Sequence, residues 1–257
     1  MSSNFLSLNP SKTEFLVIGL PKQLEKLDQP TIHSPNNVIF SPVDSARNLG
    51  VIFDSNLTLS DNISAVFKSC LYHIRDLRRI CNTIDRTTAC TIGTSLVHSK
   101  LDYCNSLLLN LPSAPTNRLQ LVLNSAARAV TKTPKFHHIT PILKSLHRLN
   151  INERIQFKGL SLTYKTLSSS RSANLHSLNH SRSTRSSSLV TLNRPSNPSH
   201  LQITNRSFYH TAPALWNRLP SEFRQLVPLS STSPIAISPT LFHKELKTHL
   251  FHSSFPP

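Results

Sequence analysis

The chain has 257 residues, enough for one large domain or two small ones with a real core. Only 38% of them are hydrophobic, and 18 Pro against 4 Gly suggest folded segments joined by stiff, polar stretches. A formal charge of +16 favours a polyanionic partner, most simply nucleic acid, while the lack of any apolar run near membrane-spanning length, or of a strongly apolar basic helix at either end, argues against a membrane.

The stretch LNPSKTEFLVIGLPK, at 8–22, reads as a turn, a lysine and a buried strand. Three short strands are expected within residues 1–54: Phe15 to Leu20, Val38 to Phe40 and Leu49 to Phe53. Pro21, Pro30, Pro35 and Pro42 separate them, which suits a small antiparallel sheet. Gly50, inside the last run, hints at a bulge or a close backbone approach.

From Ser60 the apolar period changes. Ile63, Val66, Phe67, Cys70, Leu71, Ile74, Leu77 and Cys81 recur every three or four residues and predict one helix face, with Ser60 or Asp61 as N-cap. Lys68, Arg75, Arg78 and Arg79 fall largely off that face. A second helix is predicted from Asp85 or Arg86 through Ile92, Leu96 and Val97 towards Leu108. Pro112 and Pro115 interrupt it, and Thr116 opens a third helix through Leu119, Val122, Leu123, Ala126, Ala127 and Val130. After Pro134 a short helix begins at Thr140 and Pro141, and another near Asn150 or Asn152 passes through Ile155, Leu160 and Leu167. Helices so close in sequence pack most economically as an antiparallel bundle.

Residues 168–200 are dominated by Ser, Asn, His and Arg and are expected to be a disordered linker. The Ser/Arg tract could also be a phosphorylation-regulated or RNA-binding segment. Beyond it, Phe208, Leu215, Trp216 and Leu219 form an apolar cluster, and Phe242, Leu246, Leu250 and Phe251 sit on a short basic terminal helix. The fold class expected is therefore α+β: a small antiparallel sheet (1–58), a mainly helical region (59–167), the linker (168–200) and a helical tail (201–257).

Several chemistries lack their residues. There is no G-x-S-x-G nucleophile turn, and Gly19, Gly50, Gly93 and Gly159 are too scattered for a phosphate-cradling loop. His137-His138 lack partners at metal-ligand spacing and read as a surface pair. All seven Asp are isolated, with no Asp-Asp or Asp-x-Asp to hold two Mg²⁺ ions. No metal site, cofactor or small-molecule substrate is expected. Cys70, Cys81, Cys90 and Cys104, separated by ten, eight and thirteen residues, suit neither a zinc site nor a disulfide framework and read as free thiols. With no signal-peptide pattern, the chain is expected to be intracellular, cytoplasmic or nuclear, and not secreted.

Charge is uneven. Between Tyr103 and Ser221 there are 15 Lys or Arg and one acid, Glu153, a local charge of +14. With so few compensating acids, Arg75, Arg78, Arg79, Arg118, Arg128, Lys132 and Lys135 are the candidates for phosphate contacts on an RNA or DNA backbone.

Three stretches, in order, resemble the C-terminal half of the reverse transcriptases of LINE-type, non-LTR retrotransposons. LSLNPSKTEFLVIG looks like the palm segment that follows the catalytic Tyr-x-Asp-Asp turn. ARNLGVIFDSNLTLSDNISAVFKSC looks like the primer grip leading into the first thumb helix. NRSFYHTAPALWNRLPSEFR with LFHKELKTHLF looks like the family's tail, and the likeness spans roughly Leu6 to Phe251. The resemblance implies that residues 1–58 are a palm remnant and 59–167 a thumb-like bundle. It implies that Lys12 matches a lysine near the incoming nucleotide, and that Leu49, Gly50 and Val51 match the primer grip, whose backbone positions the primer end. The family uses Mg²⁺ on aspartates that precede these stretches and that this sequence does not contain, so the chain is expected not to polymerise alone, leaving Lys12 vestigial. The alternatives are a non-functional, unstable product and a subunit that needs a separate catalytic chain.

Overall fold

The computed structural model describes residues 9–27, 30–33, 39–168, 181–182, 189–194, 202–225, 235 and 237–256. The fold is mixed α+β, and the chain divides into two compact units, Met1–Val66 and Phe67–Pro257.

The first unit holds a tight turn at Pro10–Lys12, a single helical turn α1 (Pro21–Leu24), and two separate antiparallel ladders. These pair β1 (Ile32–His33) with β2 (Ile39–Phe40) and β3 (Ser45–Asn48) with β4 (Val51–Asp54). The strand expected at Phe15 to Leu20 does not form. The segment makes only an isolated parallel bridge, Phe15 with Pro42; the Val43 N–H donates to the Phe15 carbonyl at 2.8 Å and the Gly19 N–H to the Ser55 carbonyl at 3.0 Å. The cause is local: Pro42 has no N–H with which to extend a ladder, and Pro21 starts a helix. Ile18 is left 50% exposed.

The strand expected over Leu49 to Phe53 starts two residues later. Asn48 pairs with Val51, so Leu49 and Gly50 are the two-residue turn of the β3–β4 hairpin, not strand residues, and Gly50 makes no bulge. Both have positive φ, 47° and 84°, as a type I′ turn requires. Gly50 adopts this freely; Leu49 does so against its Cβ.

Asp54, the last residue of β4, accepts hydrogen bonds from the Thr58 and Leu59 N–H groups at 2.8 and 2.7 Å, and Asn62 Oδ1 accepts from the Ile52 N–H at 3.2 Å. The hairpin is thereby tied to the start of α2 (Ser60–Ile80), where Ser60 is already helical. The unit boundary falls within α2, after Val66. In the second unit, Cys70, Ile74, Leu77 and then Cys81 are buried, as their spacing predicts.

The next helix is broken into pieces. α3 (Arg86–Gly93) is capped by Asp85, whose carboxylate accepts from the Thr87 and Thr88 N–H groups at 2.8 and 3.0 Å. A π-helical stretch, Thr94–His98, follows, then α4 (Ser99–Asp102), and Cys104 turns the chain with φ 51° before a 3₁₀ turn at Asn105–Leu108. α5 (Ser113–Thr131) starts ahead of the expected Thr116 and contains Pro115, which occupies the third position, where an N–H has no intrahelical partner to lose. Pro141 does the same in α6 (Ile139–Ser145), and α7 (Ile151–Ser168) follows.

α2 and α5 run in the same direction with α3 against them. The Arg118 guanidinium lies over the Phe67 ring, 5.1 Å from its centroid, and a Cβ on Gly93 would touch Leu77 at 3.4 Å and Val130 at 3.2 Å near the other ends of the two helices. Gly159 in α7 is a close approach: a Cβ there would sit 2.9 Å from Leu109.

Of the expected linker, residues 169–180, 183–188 and 195–200 lie outside the described residues. β5 (Ser181–Arg182) pairs with β6 (Thr191–Leu192), and Val190 and Leu192 are buried in the core. The tail comprises α8 (Gln202–Asn205), α9 (Phe208–Trp216), a 3₁₀ turn at Ser221–Arg224 and α10 (Pro239–Ser254). It packs on α7 around Phe242, which stacks on Tyr164 at 4.2 Å and meets Trp216 at 6.0 Å and the edge of Phe223 at 5.9 Å. Polar tips inside this core are satisfied: Trp216 Nε1 donates to the Val190 carbonyl at 3.0 Å and the Tyr164 hydroxyl to the Ile237 carbonyl at 2.6 Å. Asn217 holds Leu192 twice, accepting from its N–H at 3.0 Å and donating to its carbonyl at 2.8 Å. Among the described residues, no helix is long and apolar enough to cross a membrane.

Two stability outcomes follow from these contacts. Phe242→Ala is expected to cost about 3–5 kcal/mol in urea unfolding, because the ring is fully enclosed by aromatic and aliphatic partners. Leu49→Asn is expected to stabilise by about 1 kcal/mol, since Asn tolerates the left-handed turn and Leu49 buries little; an unchanged or lowered midpoint would contradict the turn assignment.

Candidate nucleic-acid interface

The outer face of α2 is a basic surface of the second unit. Lys68, Tyr72, Arg75 and Arg79 are all exposed, and at about 100° per residue they fall within a wedge of roughly 60°. That wedge lies opposite the buried stripe of Cys70, Ile74 and Leu77. Tyr72 is 55% exposed, and the Arg75 guanidinium sits over its ring, 5.3 Å from the centroid. Cations interleaved with an exposed ring offer both phosphate contact and a stacking platform. Arg79 keeps only a loose surface contact to Asp76, 3.7 Å away, which water screens strongly.

The other expected phosphate-binding residues separate into two groups. Arg78, Lys132 and Lys135 are exposed. Lys132 is the left-handed C-cap of α5 and lies near enough to Cys81, just past α2, for its charge to oppose the burial that raises the thiol pKa. Arg118 is exposed and spread over Phe67. Arg128, by contrast, is half-buried and donates to the His137 carbonyl at 3.2 Å, bracing the segment after α5.

In the first unit Lys12 is exposed on its turn, Leu49 and Gly50 are exposed at the hairpin tip, and the Val51 side chain is buried. His137 and His138 are exposed, as expected of a surface pair. All four cysteines are free; Cys70 and Cys81 are buried, and burial pushes the Cys70 thiol up to about 11, which makes it inert.

A second basic feature has no counterpart in the sequence reading. A cavity of about 540 Å³ opens between the π-helical stretch, the start of α7 and α10, lined among others by His98, Asp102, Asn105, Arg148, Arg154, Lys158 and Lys247. Arg154 forms a two-pronged ion pair with Asp102, with one bond of 2.9 Å, and the Arg148 guanidinium donates to Thr94 Oγ1 at 2.7 Å. His98 is buried, and burial together with the Arg154 and Arg148 charges pulls its pKa down to about 3, so it is neutral at pH 7. These residues come from segments more than 140 positions apart, and no local spacing announces them. Tyr72 was equally hidden, since an aromatic at helical spacing reads first as core. Among the described residues, no group of three His, Cys, Asp or Glu is placed to hold a metal ion.

In comparison with known proteins, no family model matches the chain, and no curated protein or solved structure matches it. The local geometry and the sequence pattern therefore carry the functional reading.

The buried neutral state of His98 has a measurable signature. A folded-state pKa of about 3 against about 6.5 unfolded means that the unfolded chain takes up this proton first, so stability present above pH 6.5 is lost as pH falls towards 3. Urea unfolding from pH 7.5 to 4.5 should show His98→Gln losing less stability than the wild type below pH 6.5, by up to about 1.4 kcal/mol per pH unit, with parallel curves above it. Parallel curves throughout would mean that the imidazole is solvated.

Proposed function

We propose that the chain binds nucleic acid through the sugar-phosphate backbone, without reading sequence, and that it derives from the palm, primer-grip, thumb and tail of a LINE-type reverse transcriptase. The observation that carries this reading is the exposed stripe Lys68, Tyr72, Arg75 and Arg79 on α2. A helix that offers cations and a ring along one side suits the flank of a duplex or a strand, and nothing in such an arrangement discriminates bases. In this reading α2 is the first thumb helix and the β3–β4 hairpin the primer-grip counterpart, presenting the backbone of Leu49 and Gly50. Polymerisation is absent from the proposal because the seven Asp of the sequence are isolated and offer no pair for two metal ions.

A second reading, a subunit working against a separate catalytic chain, is favoured by the apolar side chains left exposed in the first unit. Ile32, Ile39 and Leu49 are 48%, 59% and 83% exposed. Primer extension with and without a candidate catalytic chain separates it from the first.

The backbone-binding reading predicts a steep salt dependence. Fluorescence anisotropy with a labelled duplex should give a log-log slope of roughly −3 or steeper for the wild type, at about −0.9 per phosphate contact. Arg75→Glu/Arg79→Glu should weaken binding at least tenfold and make the slope shallower by about 2, whatever the duplex sequence. Wild-type binding insensitive to salt, or the same slope in the double variant, would remove the stripe from consideration.

A further inference from the structure

We infer that the cavity beside the π-helical stretch is a binding site for a nucleotide-sized phosphate ester, separate from the α2 stripe. Three observations converge on it. The first is charge. Arg148, Arg154, Lys158 and Lys247 line the cavity against one carboxylate, Asp102, which Arg154 already engages with both arms. No carboxylate lies within ion-pair distance of Arg148, Lys158 or Lys247 among the described residues. Arg148 is half-buried, and burial and the neighbouring Arg154 both pull its pKa down, so its charge sits where an anion would be most welcome.

The second is unspent hydrogen-bonding capacity. His98 and Asn105 are 8% and 2% exposed, both line the cavity, and His98 Nδ1 and Asn105 Oδ1 have no hydrogen-bond partner. Buried polar atoms are rarely left so. An amide oxygen only accepts, so a ligand group that reaches Asn105 Oδ1 must be a donor, which a sugar hydroxyl is and a bare phosphate dianion is not.

The third is size and placement. About 540 Å³ suits a molecule of nucleotide dimensions, and Phe157 and Leu149 supply apolar wall for a ring. The backbone irregularity that carries Thr94 and His98 to the cavity is of a kind often found beside functional sites. The phosphate of such a ligand would meet Arg148, Lys158 and Lys247, and its hydroxyls Asn105. The same group is carried by a free nucleotide and by the phosphorylated end of a strand.

The test is calorimetric titration of the full chain with adenosine 5′-monophosphate, adenosine and inorganic phosphate. The nucleotide should bind saturably at sub-millimolar concentration, with adenosine and phosphate each at least tenfold weaker. Lys158→Glu/Lys247→Glu, two exposed positions whose reversal leaves the core intact, should abolish the nucleotide heat, whereas Arg75→Glu/Arg79→Glu should leave it unchanged. Competition by a 5′-phosphorylated hexanucleotide but not by its 5′-hydroxyl form assigns the site to strand ends; failure of both to compete assigns it to free nucleotides. No saturable heat, equal binding of adenosine, or indifference to the lysine reversals would overturn the inference and leave a water-filled cavity. The duplex-binding proposal would stand or fall separately, on the arginine pair of α2.

Discussion

A chain with 28 Lys and Arg against 12 Asp and Glu cannot neutralise itself, and the fold is arranged around that shortage. Among the described residues only two ion pairs form, one of them a loose surface contact. Other described cations stand in water, donate to backbone carbonyls, lie along aromatic rings, or face a place that an anion can fill. Arg78 and Lys135 stand in solvent, Arg75 and Arg118 lie over rings, and Arg148 sits half-buried beside a cavity. Crowding of like charge costs free energy that only counterions or a polyanion relieve, which links the stability of the protein to what it binds.

The second unit tolerates this because its cohesion is apolar. Phe242, Trp216, Tyr164 and Phe223 form a ring cluster that joins α7 to the tail, and the polar tips of Trp216 and Tyr164 find backbone carbonyls. Hydrophobic burial is indifferent to the sign of surface charge, so the tail helix can carry basic residues on its outer face while closing the core with Phe242, Leu246 and Leu250. The cavity lies where that helix, through Lys247, approaches α4 and α7.

The helices were legible in the sequence wherever period and breakers agreed. Ile74, Leu77 and Cys81, Leu119 and Val122, and Ile155 and Leu160 are buried as their spacing requires, because amphipathic periodicity is imposed by local geometry. The strands were not. Phe15 to Leu20 has strand composition, but pairing depends on a partner with N–H groups to give, and Pro42 lacks one. Leu49-Gly50 was read as strand because Leu is apolar, whereas the hairpin needed two residues of positive φ and took them at a steric cost. The α2 basic face could be read directly, since it is the complement of the apolar stripe. The cavity could not, because it is assembled from α4, α7 and α10 by tertiary packing, and side-chain type at one position says nothing of neighbours a hundred residues away.

The pair of hydrogen bonds between Asn217 and Leu192 fixes Leu192 in the core from the side of α9. A side-chain amide here acts as a substitute strand edge, holding residue 192 to α9, while Leu167 at the end of α7 is buried in the same core. Leu167, Val190 and Leu192 therefore belong to one folded core, although more than twenty positions separate Leu167 from Val190 in the chain.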